Sequence, residues 1–135
     1  DSFDERLFNQ ELLNLIENAY SPYYNFKVAS IVVTNDDKNF YGVNVENANG
    51  TSICAERNAI DNAVGHGYRK GDFSKIYIMF ENGNYGTPCF ACRQVIVEFF
   101  NEEDEVISVN GNGEEKVYKV KELCPYPFDE SDLNA

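Results

Sequence analysis

Apolar residues recur at helical spacing near the start of the chain, at Leu7, Phe8, Leu12, Leu15, Ile16 and Ala19. That period predicts an amphipathic helix over Phe3 to Asn18, and Ser21-Pro22 ends it. The pattern then changes. Phe26 to Thr34 (FKVASIVVT) is rich in β-branched residues and reads as a strand. Asn35-Asp36-Asp37 turns the chain, and Asn39 to Val45 (NFYGVNV) returns as its hairpin partner. A polar loop, Glu46 to Ser52, leads into a helix from about Cys54 to Val64, stopped by Gly65-His66-Gly67. Lys75 to Phe80 is a short buried-type strand, Gly83 to Pro88 a loop, and Phe90 to Phe100 a further helix. Glu105 to Val109 and Lys116 to Val120 read as strands joined by a turn at Asn110 to Glu115. The tail, Pro125 to Ala135, shows no strong periodicity, and no repeat or low-complexity segment interrupts the chain. The order α-β-β-α-β-α-β-β predicts an α/β fold, a mixed sheet with helices on its faces.

Composition narrows the function. A chain of 135 residues, 43% of them hydrophobic, is expected to form a single domain over 1–135 with one well-buried core. The formal charge of −12, from 11 basic and 23 acidic residues, argues against a nucleic-acid partner, because such binding rests on Lys and Arg neutralising phosphates. A small-molecule substrate is expected instead. No apolar run approaches eighteen residues, so no membrane-spanning segment is expected. The start carries no leader pattern, and the absent initiator Met points to a trimmed N-terminus. Four cysteines in such a chain read as thiols for a metal rather than a disulfide framework, which places the protein in a reducing cytoplasm.

Those thiols fall in two clusters, Cys54-Ala55-Glu56 and Pro88-Cys89-Phe90-Ala91-Cys92. Cys89 and Cys92 are three apart and share one face of a first helical turn, with Pro88 placed to open it. Cys54 opens the other helix, so two positive helix ends converge on the thiols and favour thiolates. Three protein ligands with an open position characterise catalytic zinc, and Glu56 is spare to move the proton of a water. Being two apart, Cys54 and Glu56 oppose each other on a regular helix. Cys54 is therefore expected at the cap, with the longer Glu56 curling back toward the metal.

One Zn²⁺ per chain with three thiolates sums to −1. Arg57, one turn after Cys54, is placed to donate to a thiolate sulfur and offset that charge. The bland alternatives are a closed structural site completed by Cys124, Arg57 as an exposed helix residue, and Glu56 as a dipole-stabilising acid. His66, between two glycines at a helix end, reads as a loop residue rather than a ligand.

The runs Ala19-Tyr20-Ser21-Pro22-Tyr23, Asn44-Val45-Glu46-Asn47-Ala48, Cys54-Ala55-Glu56-Arg57 and Pro88-Cys89-Phe90-Ala91-Cys92-Arg93-Gln94-Val95 together resemble the small homotetrameric zinc-dependent cytidine deaminases. Glu122-Leu123-Cys124-Pro125, Phe128 and Asp132-Leu133 resemble that family's C-terminal end. The resemblance implies a three-layer α/β/α sandwich around a five-stranded mixed sheet. It implies hydrolysis of cytidine or deoxycytidine to the uridine with release of ammonia, in pyrimidine salvage. By position, Cys54, Cys89 and Cys92 then bind zinc and Glu56 shuttles the proton. Phe26 packs on the pyrimidine, Ala55 lies against the substrate, Asn44 and Glu46 hold the ribose 3′-hydroxyl, and Phe128 closes the pocket from its own or a neighbouring subunit. Two apart on an extended segment, Asn44 and Glu46 would point the same way, although turn residues are the plain alternative.

The chain departs from the family pattern in three places. Phe90 stands where the family has glycine, and a large ring there is expected to narrow the pocket or alter an oligomer contact. The loop Asn49 to Ile53 is one residue short and lacks the customary tyrosine, and Ala29 replaces a glycine. The other readings are deamination of a nucleoside-like antibiotic such as blasticidin S, and a zinc-stabilised nucleoside-binding domain with weak catalysis.

Overall fold

The computed structural model describes residues 2–81 and 85–133, and only the backbone for residues 2–7. The Leu7 side chain, Gly83 of the predicted loop and the last two residues of the tail lie outside the described residues. In chain order the elements are α1 (Ser2–Ile16), β1 (Val28–Thr34), β2 (Asn39–Val43), α2 (Ala55–Gly65), β3 (Phe73–Phe80), α3 (Phe90–Phe99), β4 (Glu105–Val109), β5 (Glu115–Lys119), α4 (Val120–Leu123) and α5 (Glu130–Leu133).

The five strands form one sheet in the order β2-β1-β3-β4-β5. β3 and β4 run parallel, crossing over through α3, and every other neighbouring pair is antiparallel. The mixed sheet is thus the predicted one. β1 is buried along its whole length because both its faces are covered. Ala29, Ile31 and Val33 pack with Tyr77, Met79 and Ile107 against Leu12 and Ile16 of α1. Val28 and Val32 face the other way, with Ile76, Ile78 and Val106 against Ala55, Ala59, Ile60 and Ala63 of α2 and Ile96 of α3. Two apolar layers on one sheet make the α/β/α sandwich. Ala29, the departure from the family's glycine, is fully buried in the α1 layer.

Of the boundaries that differ from the sequence reading, three have identifiable reasons. β1 starts at Val28 rather than Phe26 because the Asn44 amide takes the backbone there: its Oδ1 accepts from Val28 N (2.8 Å) and its Nδ2 donates to Phe26 O (2.8 Å). β2 ends at Val43, since Val45 leaves the ladder to bridge Tyr20 and Ile53. β5 ends at Lys119 because Val120 turns inward, is buried, and opens α4. The four-residue helices α4 and α5 are too short to display an apolar period.

α2 lies unusually close to β2. A Cβ on Gly42 would fall 2.4 Å from Ala59 N and 2.5 Å from Ala55 O. Glycine is required there by contact rather than by conformation. This contact fixes the depth at which α2 delivers its N-terminus.

Candidate metal centre and pocket

Cys54 and Cys89 occupy equivalent places, each as the cap residue preceding a helix. Both have extended backbones (φ −76°, ψ 152° and φ −65°, ψ 166°), and neither side chain caps its own helix. Their sulfurs are therefore free to turn toward each other. Cys92, in the first turn of α3, is fully buried. The three sulfurs lie within 4.8 Å of one another, with Cys54 to Cys89 at 3.9 Å and Cys89 to Cys92 at 3.5 Å.

That spacing fits zinc. Tetrahedral arms of about 2.3 Å have an edge of about 3.8 Å, and all four cysteines are free thiols. The electrostatics point the same way. The Cys54 thiol is pulled down to about 5, chiefly by the hydrogen bond from Cys92, with Arg57 and Cys89 adding to it. The Cys92 thiol is pushed far up by the same bond and by burial. The trio thus favours a thiolate at Cys54 while Cys92 keeps its proton, and a cation among the sulfurs would favour its release. Cys124 is not in this group. Half-buried, it lines a separate crevice with Arg93, Ile96 and Leu123, so the closed four-thiol alternative fails among the described residues.

Glu56 is the second residue of α2 and is 4% exposed. Burial pushes its carboxyl up to about 7, and the negative charge of Cys54 adds to the rise. A carboxyl poised near neutrality can both accept and return a proton. Arg57 Nη2 donates to Cys54 Sγ (3.5 Å) and to Ser52 O (3.3 Å), which removes the reading of Arg57 as a free surface residue. His66 sits at the end of α2 with its Nδ1 donating to Asn62 O (2.9 Å) and its ring against Phe40.

The thiols open onto a cavity of about 340 Å³, large enough for a small ligand. Cys54, Ala55, Glu56 and Cys89 line it beside Phe26, Asn44 and Glu46. Seven of the sequence-selected residues therefore meet in one place. Phe26 stacks on Phe80, whose ring lies over Gly86. Glu46 is buried without an ion pair among the described residues. Burial alone would raise its carboxyl, yet the Ser21 hydroxyl and the Tyr23 and Tyr24 N–H groups bring it below its ordinary value.

For Phe90 and Phe128 the structure removes one of the two expected alternatives. Phe90 does not narrow the pocket: it is 80% exposed at the start of α3, with the Arg93 guanidinium 4.8 Å from its ring centre. Phe128 does not close the pocket of its own chain. It is exposed, does not line the cavity, and is tied to α3 by Gln94 Nε2 donating to its carbonyl (2.7 Å).

The sequence reading missed Tyr24, Val28, Ser52, Ile53, Phe80 and Thr87 as lining residues. It gave Ser21 no role beyond ending the first helix. No spacing rule marks Ser21, Tyr24, Ser52, Ile53 or Thr87, because loops bring them to the cavity, and Val28 and Phe80 read simply as strand residues. Arg93 was quoted but given no role, although its guanidinium donates to Pro88 O (2.7 Å), Leu123 O (2.7 Å) and Thr87 Oγ1 (2.9 Å), bracing the segment that carries Cys89.

Comparison with known proteins agrees with this geometry. Residues 2–118 match the model of the cytidine and deoxycytidylate deaminase zinc-binding region. A cytidine deaminase of Mycoplasma genitalium is 33% identical over 123 residues, 90% of this chain and 93% of that protein. A probable cytidine deaminase of Dictyostelium discoideum is 37% identical over 124 residues, 90% of this chain and 82% of that protein. The crystal structure of cytidine deaminase from Burkholderia pseudomallei superposes with a TM-score of 0.86 at 40% identity, covering 91% of this chain and 98% of that one. With the paired thiol-bearing helix caps, the sheet order and the sequence all in agreement, the chain belongs to the family of zinc-binding cytidine and deoxycytidylate deaminases.

Proposed function

We propose that this chain is a zinc-dependent hydrolase, one domain over 1–135, that converts cytidine and deoxycytidine to uridine and deoxyuridine with release of ammonia. One observation carries the reading. The thiol trio and a buried proton-carrying Glu56 share a cavity with an aromatic ring, Phe26, and a polar pair, Asn44 and Glu46.

Cys54, Cys89 and Cys92 hold the zinc, with Arg57 offsetting the excess negative charge. When bound, zinc supplies the Lewis acidity that lets water lose a proton near neutral pH. Glu56 accepts the first proton of the attacking water and delivers it to ring N3, where it stays; it then takes the second proton from the oxygen now on C4 and gives it to the departing amine. The water oxygen thus replaces the amino group at C4, and ammonia carries the second proton away. Phe26 packs on the pyrimidine, with Phe80 behind it, and Ala55 leaves room between Cys54 and Glu56. Asn44 retains one N–H after binding Phe26 O, and Glu46 retains acceptor capacity. A hydroxyl that accepts from one and donates to the other matches both.

Two carboxylates and, among the described residues, no Lys or Arg line the cavity. This supports a neutral nucleoside over a phosphorylated one, since a phosphate calls for cationic donors. Free thiols and net acidity support pyrimidine salvage in a reducing cytoplasm, with no nucleic-acid or membrane partner. No described helix is long and apolar enough to cross a membrane. A homotetramer follows from the family resemblance; the exposed rings of Phe90, Tyr126 and Phe128 are available for contacts between subunits, with Phe128 serving a neighbour's pocket.

The test is to incubate zinc-loaded protein with cytidine, deoxycytidine, cytosine and blasticidin S and follow ammonia. The two nucleosides should turn over. Silence with all four would overturn the reading, and turnover of blasticidin S alone would move it to antibiotic deamination. Sedimentation decides the assembly.

A further inference from the structure

We propose that Ser21 is a positioning residue for sugar recognition, its hydroxyl locking the sugar-facing carboxylate of Glu46 and the base-facing segment of Phe26 into one unit. The inference rests on the reading of Glu46 as the group that faces the sugar hydroxyl. Ser21 and Glu46 are 25 residues apart and both buried. Ser21 Oγ donates to Glu46 Oε2 (2.5 Å) and accepts from Phe26 N (2.9 Å). The same carboxylate receives Tyr23 N (2.9 Å) and Tyr24 N (3.1 Å), both at Oε1.

Counting acceptor sites decides which oxygen meets the substrate. A carboxylate has about four lone-pair positions, two on each oxygen. Oε1 has both taken by backbone N–H groups of the 21–26 turn. Oε2 has one taken, by Ser21, and so holds the remaining acceptor site. The oxygen able to receive a substrate hydroxyl is therefore the one Ser21 orients.

The turn adds a second link. Asn25 N donates back to Ser21 O (3.0 Å), and Asn25 adopts a left-handed backbone (φ 54°). Phe26 N then points at Ser21 Oγ, and Phe26 O is held by Asn44 Nδ2. Loss of the hydroxyl strands the Phe26 N–H and frees Oε2 to rotate. Sugar and base recognition would loosen together, while the thiols and Glu56, on other elements, would stay in place.

The experiment compares wild type with Ser21→Ala and Ser21→Cys, all zinc-loaded, on cytidine and 3′-deoxycytidine, with uridine binding measured by calorimetry. Wild type should prefer cytidine. Ser21→Ala should lose about tenfold to a hundredfold in kcat/KM for cytidine, mainly through KM, as expected for a bond to a charged group. Its loss on 3′-deoxycytidine should be real but smaller, because only the base-side share remains, so the preference shrinks, and uridine binding should weaken in parallel. Equal losses on both substrates would make Ser21 merely structural and overturn the proposal. Should Ser21→Ala not fold, Ser21→Cys, similar in shape but a weak donor, answers the same question: a reduced preference supports the proposal and an undiminished one overturns it. A wild type with no preference between the two nucleosides would instead overturn the reading of Glu46, and the proposal with it.

Discussion

The guanidinium of Arg57 reaches back one helical turn to the sulfur of Cys54, 3.5 Å from Nη2, while the same nitrogen donates to Ser52 O. A divalent cation with three thiolates carries one excess negative charge, which would weaken its pull on electrons. Under the proposed function, Arg57 would return the centre to neutrality and draw density from one sulfur. Arg57→Gln should therefore lower zinc affinity or kcat/KM by about 10- to 100-fold, with Arg57→Lys in between. Chelator competition and steady-state kinetics measure the two effects separately. Wild-type values in Arg57→Gln would dismiss this role.

Glu56 lies beside the thiols but contributes no sulfur, so its loss should separate metal binding from turnover. Glu56→Gln keeps the volume of the buried side chain and removes the exchangeable proton. Metal analysis should still give about one zinc per chain, while kcat falls by about 10²- to 10⁴-fold, the usual share of a general acid-base group. A near-normal rate would show that another group carries the proton.

Arg93 braces the metal loop from outside the cavity, through three oxygens contributed by Thr87, Pro88 and Leu123. Replacement by Met keeps part of the stem but leaves those acceptors unpaired. The cost should be about 1–3 kcal/mol in denaturant unfolding. Zinc should also dissociate faster, since Cys89 follows directly on this loop. Faster metal loss is the decisive readout: a variant that is less stable but releases zinc at the wild-type rate would confine Arg93 to the scaffold.

At the far edge of the sheet, Glu103 accepts from Lys119 Nζ (2.8 Å) and from Lys121 Nζ, and the two cations hold its carboxyl down to about 2. A carboxyl held below its ordinary 4.5 adds stability above that pH and loses it as the pH falls through about 2. The charges are exposed, so the effect is small and salt-sensitive. Glu103→Gln should lower the thermal midpoint at pH 7 in low salt, and the gap should close between pH 4.5 and 2. A pH-independent gap would mean the pair contributes nothing through charge.

How much of this was legible in the chain depended on how local the cause was. β4 matched its predicted span because residues 105–109 are bounded by turns and carry their own apolar signal. The meeting of Cys54 with Cys89 and Cys92 was readable because two helix starts, far apart in sequence, both carry thiols. Ser21 was not, since its role is set by Glu46 and appears only once Tyr20 bridges Val45. Which alternative applied to Phe90 and Phe128 was open for a related reason. Their positions beside the motif were clear, but the direction of a side chain at a helix cap or in an irregular tail follows from packing.

Gly42 is the sharpest case of a residue that sequence could not single out, being one glycine inside a strand pattern. Its role is to let α2 approach β2 until backbone meets backbone. A Cβ at this position would lie 2.4 Å from Ala59 N, 2.5 Å from Ala55 O and 2.9 Å from Ala59 Cα. No flexible side chain can yield there, so α2 as a whole must move. Gly42→Ala should cost at least about 1–3 kcal/mol, the usual range for overpacking. The displacement falls on the helix that presents Cys54 and Glu56, so activity should drop even where the fold survives. The same substitution at Gly65, with open space around it, supplies the control and should leave zinc binding and turnover near wild type. If Gly42→Ala melts and turns over like wild type, the close approach of α2 to β2 does not set the depth of the site.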